Sequence, residues 1–153
     1  IENYVNSGGK LITVMDSGIY RETGLGDPAT DVVGWKETFG DAIPVECNPN
    51  NEGKESCTVK LEVVGIIHRQ DVDHRIMEGI EQVPAMQNNS PLMLETFDID
   101  ATGKIIAYIQ NSATPSHYPA IVEKQQVVGK SIYFNYDPAK TRGIFENTLK
   151  YLK

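Results

Sequence analysis

Hydrophobic positions along this chain fall into short runs and stripes, with no long apolar block. Ile1, Tyr4 and Val5 recur at the spacing of one helix face, and Asn6-Ser7-Gly8-Gly9 closes that helix with a glycine free to turn left-handed. Leu11 to Met15 is a short apolar run bounded by turns, the pattern of a strand buried on both faces. It runs into Asp16-Ser17-Gly18, a polar turn at the carboxyl end of the strand. Ligands in open α/β sheets bind beyond such strand ends, so this turn is the first candidate for a site.

Arg21 to Thr30 (RETGLGDPAT) reads as a loop. Its G-x-G lacks the third glycine and the helix that a phosphate-binding loop needs, so it is a weak signal. Asp31 is expected to N-cap a short helix whose Val32, Trp35 and Phe39 share a face and whose stop is Gly40, which places Trp35 in the core. Thr58 to Val64 alternates Val59, Leu61 and Val63 with polar residues, predicting a half-buried strand that continues through Gly65-Ile66-Ile67. After a polar segment, Asp73 is positioned to cap a short helix over RIMEGI.

Gln82 to Pro91 is predicted as a loop; its Asn88-Asn89-Ser90 formally fits a glycosylation sequon. Leu92–Ile99 and Lys104–Gln110 are β-rich and joined by Asp100-Ala101-Thr102-Gly103, a hairpin signal. Asn111 to His117 reads as a loop, Pro119–Gln125 as a strand, Gln126–Gly129 as a turn and Ser131–Tyr136 as a strand. Asp137-Pro138 breaks that strand. Thr141 to Leu152 is an amphipathic helix with Phe145, Leu149 and Leu152 at i, i+4, i+7 and its cations toward the end that the dipole favours. The predicted fold class is therefore α/β: a flavodoxin-like open sheet with a parallel core plus antiparallel strands added in the second half, one domain over 1–153. A central strand this early normally follows a βα unit, so the pattern reads as a domain lacking its amino-terminal βα unit.

Composition narrows the function. Lys and Arg number 14 against 21 Asp and Glu, a net charge of −7, which repels phosphate backbones and argues against nucleic acid. No apolar run reaches the roughly 18 residues of a membrane span. Cys47 and Cys57 flank a turn-rich loop that suits a disulfide; the alternative is two unpaired thiols. A bridge would favour an extracytoplasmic setting, and free thiols a cytoplasmic one. No cofactor is expected. His68, Asp71, Asp73 and His74 are the densest group of metal-ligating types, but their spacing matches no metal motif and equally describes a polar connection.

Two separated pieces, YVNSGGKLITVMDSG with TFGDAIP behind it, and PAIVEKQQVVGKSIYFNYDPAKTRGIFENTLKYL, resemble the class I glutamine amidotransferase-like superfamily. The nearest branches are the trehalose-utilisation-type proteins and the beta-galactosidase trimerisation domain. HRIMEGI also resembles an H-P-I-x-x-G-I element that lies between the two pieces in that family. The resemblance implies a Cys on a strained strand-to-helix elbow with a late His as base. In this chain Asp16 stands where the Cys would be, and Tyr136 or Asp137 where the His would be. Asp16, Ser17, Gly18, Tyr136 and Asp137 are thus the expected lining of a ligand cleft without the reactive pair. The favoured reading is a non-catalytic domain for association, as a homo-oligomer or beside a neighbouring domain, or for binding a small molecule such as a sugar. The alternative is a hydrolase working at the strand-end cleft with Asp16, Ser17 and a histidine, His117 being the loop candidate. In the non-catalytic case Asp16 and Ser17 cap the following turn through side-chain bonds to backbone N–H groups.

Overall fold

The computed structural model describes residues 1–22, 30–48, 57–88 and 90–153. Its main sheet is organised around β11 (Lys130–Phe134), in which Ser131, Ile132, Tyr133 and Phe134 are all buried because both faces are covered. β1 (Lys10–Val14) lies parallel to it, from Lys10↔Lys130 to Val14↔Phe134. On the other side β10 (His117–Gln125), β9 (Lys104–Asn111) and β5 (Leu61–Arg69) follow in antiparallel order. β5 then pairs with β7 (Leu92–Thr96) through Leu61–Gly65 and with β6 (Gln82–Val83) through Ile67 and His68. The result is the open, mixed α/β sheet that the sequence predicts, with the second half adding antiparallel strands. Among the described residues its parallel pairing is confined to β1 and β11.

Two apolar layers cover the sheet. On one face α3 (Arg142–Tyr151) packs Ile144 and Phe145 against Ile67, Ile109, Ile121 and Phe134. On the other, α2 (Trp35–Phe39) and a ribbon of β4 (Val45–Cys47) with β8 (Ile99–Ala101) bury Trp35, Val45, Phe97 and Ile99 against Val122 and Tyr133. Trp35 meets Phe97 and Tyr133 edge to face, with ring centroids 6.3 and 5.5 Å away. Such pairs add about 0.5–1.5 kcal/mol beyond burial. Gly8, at φ +105°, ends α1 (Glu2–Asn6) as expected, and Gly40 ends α2 at φ +63°.

Several boundaries differ from the sequence reading, each for a physical reason. Asp31 caps no helix: it lies in β3 (Thr30–Val32), which pairs with β2 (Tyr20–Glu22), and Gly34 at φ +81° turns the chain into α2. The G-x-G at 24–26 and Asn89 of the sequon lie outside the described residues. β5 begins at Leu61 and extends through His68 and Arg69, leaving Val59 exposed ahead of it. The cap of the 3-10 turn Arg75–Met77 is His74, whose Nδ1 accepts the Ile76 N–H at 3.2 Å; Asp73 instead sits in an Asx turn on Asp71.

Leu92–Ile99 and Lys104–Gln110 form no hairpin. β7 joins β5, β8 joins β4, and the N–H groups of Thr102 and Gly103 both donate to Pro44 O, so the turn transfers the chain between layers. His117 opens β10 rather than closing a loop. In α3 the buried face runs through Ile144 and Thr148, while Leu149 is exposed. The Cys47 and Cys57 sulfurs are bonded, with Cα atoms 5.4 Å apart.

Candidate functional site

β1 ends at Val14, and the chain turns at Met15 with φ +48°, the left-handed conformation that is rare for any side chain but glycine. An elbow of this kind is where a strained nucleophile is expected. Here the strained position carries a thioether, one residue before Asp16. Three of the turn's N–H groups are paired: Met15 N–H to Phe134 O at 2.8 Å, Ser17 N–H to Val14 O at 3.0 Å and Ile19 N–H to Asp16 O at 3.2 Å. No helix follows, because the chain goes on into β2. An oxyanion site requires donors aimed at open space beside the nucleophile, and these three are aimed at carbonyls.

The core closes the elbow from below. Trp35 Nε1 donates to Met15 O at 3.0 Å, and Thr38 Oγ1 donates to Gly18 O at 2.5 Å. A Cβ on Gly18, which has φ +83°, would stand 2.5 Å from the Phe39 ring, so this turn needs glycine for both space and backbone angle. Burial pushes the Tyr133 phenol well above its ordinary value, with the nearby Asp16 carboxylate adding to the effect. Ser17 Oγ donates to Val14 O at 2.6 Å, and among the described residues no histidine bonds it. The Ser17 hydroxyl bond thus runs back to a carbonyl of the strand end, not forward to a backbone N–H as a cap of the following turn would.

The other expected cleft residues are not beside it. Tyr136 is wholly buried in the layer under α3, across the sheet from Trp35, with its hydroxyl 2.7 Å from Thr141 Oγ1. Asp137 Oδ1 accepts the Ala139 N–H at 2.9 Å and opens the last 3-10 turn. Three of the four metal candidates are turned to separate partners and the fourth to solvent. His68 stacks on Tyr108, Asp71 pairs with Lys104 Nζ at 2.5 Å, Asp73 is exposed, and His74 reaches Glu123. Among the described residues no three His, Cys, Asp or Glu side chains are grouped to hold an ion. The Lys104 contact comes first among the causes that hold the Asp71 carboxyl below its usual value.

Two arrangements escape sequence reasoning. The buried Asn135 is saturated: its amide donates to Phe97 O at 2.8 Å and Pro119 O at 2.9 Å, and its Oδ1 accepts the Phe97 N–H and the Tyr133 hydroxyl, both at 3.1 Å. At the opposite end of β10, Glu123 takes His74 Nε2 at 3.0 Å and the Tyr151 hydroxyl at 2.6 Å, while Lys130 Nζ donates to Tyr151 at 2.5 Å and lies over its ring. Burial alone would raise the Glu123 carboxyl. The His74 and Tyr151 bonds and the Lys130 charge outweigh it and hold the group below its usual value. This network ties α3 to the sheet and has no unpaired member facing solvent.

No protein-family model and no curated protein sequence matches the chain. Solved structures do. A cold-adapted beta-galactosidase from Rahnella sp. R3 superposes with a TM-score of 0.62 at 12% identity, over 99% of this chain and 20% of that one. The beta-galactosidase from Bacillus circulans sp. alkalophilus gives 0.63 at 15%, over 98% and 20%. A cytoplasmic protein from Salmonella typhimurium LT2 gives 0.64 at 18%, over 100% and 59%. The likeness is to a part of those enzymes. At these identities it establishes a shared fold, in keeping with the beta-galactosidase side of the sequence resemblance. No helix of the described residues is long and apolar enough to cross a membrane.

Proposed function

We propose that this chain is a non-catalytic, amidotransferase-like domain that serves association within a larger assembly, with ligand binding as a secondary capacity. The observation that carries the reading is the elbow: a left-handed turn at Met15 whose Ser17 hydroxyl and Ser17 N–H both donate to Val14 O, with no histidine bonded to Ser17 among the described residues. Such a turn keeps the shape of a reactive site without an activated nucleophile or a base beside it. The superposition on small portions of beta-galactosidases supports a supporting role beside carbohydrate enzymes, because the matched portion is 20% of each of those chains.

The surface offered for association is the outer edge of β1. Its hydrogen bonds to β11 use Gly9 O and Met15 N–H, so the alternation turns Lys10 and Ile12 outward, and among the described residues no strand pairs there. An edge of this kind accepts a further strand. Sedimentation velocity over a concentration series tests this. Association that rises with concentration is expected, and Lys10→Pro, which removes an outward donor at an exposed position, shifts it toward monomer. A strict monomer at high concentration contradicts the reading.

A further inference from the structure

β5, β9 and β10 each turn alternate residues toward the sheet face opposite α3. Register makes His68 the direct neighbour of Tyr108, Tyr108 of Pro119, and Gln110 of both Ile66 and His117. The intervening Ile67 and Ile109 belong to the core under α3, so this grid lies on the other face, beyond the cover of α2 and the β4–β8 ribbon. Across it runs a row of three rings. His68 stacks on Tyr108 with centroids 5.3 Å apart and planes 22° apart, and His117 meets Tyr108 edge-on at 5.9 Å and 66°. Beside the row is a groove of about 470 Å³, lined by Gln70, Ile105, Tyr108, Gln110, His117 and Pro119 together with Tyr118. Two histidines far apart in sequence are thus joined by a tyrosine, and neither has a role in the elbow or in holding α3.

We propose that this groove binds a neutral carbohydrate, with the ring row and its flanking carboxamides as the recognition surface. Three features select that class. First, no lining residue carries a fixed charge, so nothing there neutralises a phosphate, carboxylate or ammonium group, and the net charge of −7 further disfavours anions. Second, the polar groups are two carboxamides, two phenols and an imidazole, which donate as well as accept. A sugar hydroxyl also does both, and needs such mixed partners. Third, Ile105, Pro119 and the tyrosine ring supply the apolar surface that the C–H face of a pyranose covers. The rings hold one another in place, so binding loses little side-chain freedom. This deepens the ligand-binding part of the function proposed above and lies on a different surface from the β1 edge.

The test is an NMR titration of the ¹⁵N-labelled chain with galactose, lactose, cellobiose and, as a flat non-sugar ligand, adenosine. Saturable shifts with at least one saccharide, centred on the amides of Tyr108, Gln110 and His117, are expected. Tyr108→Ala then weakens binding by about tenfold, and Gln110→Ala weakens it measurably. His117→Ala, at an exposed position, keeps the test decisive should Tyr108→Ala fail to fold. No saturable shift with any saccharide overturns the proposal, as does saturation by adenosine alone. Shifts centred on Asp16–Gly18 also overturn it, by moving the ligand to the elbow. Sedimentation reads association separately, so failure here leaves the edge-pairing role standing.

Discussion

At the scale of single residues, the positions that hold this fold are those whose polar atoms are accounted for inside it. Asn135 satisfies four partners across a span that no local pattern reveals, so Asn135→Ala should lower the unfolding free energy by about 2–4 kcal/mol in urea titrations. Thr96 is the converse: its buried hydroxyl has no partner among the described residues. Thr96→Val should therefore leave stability unchanged or raise it by up to about 1 kcal/mol in the same assay. Trp35, Gly8 and Gly40 were legible in the sequence because helix stripes and left-handed stops are local signals. Asn135 was not, since an amide inside an apolar run looks like a strand residue until the Phe97 backbone arrives from far away in the chain. The same holds for the elbow, where sequence points to Asp16 and only the backbone angle shows that Met15 carries the turn.

At the scale of elements, α3 depends on a polar clamp as well as on its apolar face. Its C-terminal turn supplies Tyr151, which with His74 and Lys130 surrounds Glu123. The folded carboxyl titrates below its ordinary value of 4.5, so near and below that pH the unfolded chain binds more protons than the folded one. The stability supplied by Glu123 is thus complete above about pH 4.5 and is lost as pH falls through the lowered folded value. Glu123→Gln should be less stable than wild type at neutral pH, and thermal melts should show the gap narrowing in acid. The sequence located α3 and nearly all the strands of the main sheet, because periodicity is local. It misassigned the Leu92–Gln110 hairpin because pairing partners are set by tertiary contacts: a turn that looks like a hairpin here hands the chain from one layer to the other at Pro44.

At the scale of the whole molecule, an open sheet covered on two faces leaves an elbow, an edge and an uncovered row of rings for function. The Cys47–Cys57 bridge ties the end of β4 to the residue ten positions on, and serine at both positions should cost about 2–3 kcal/mol, with wild-type mass unchanged by alkylation until reductant is added. The fold was legible in the sequence to the level of an open α/β sheet, with the turn after its first strand marked as a candidate site. Which partners the hydroxyl and the N–H groups of that turn take was not legible, because donor direction exists only in three dimensions. The most direct test of the central claim is turnover by wild type and Ser17→Ala on a panel of ester, amide and glycoside substrates. The account predicts that wild type shows no hydrolysis beyond that of the variant. Cleavage by wild type that disappears in Ser17→Ala would show that the elbow is a working active site.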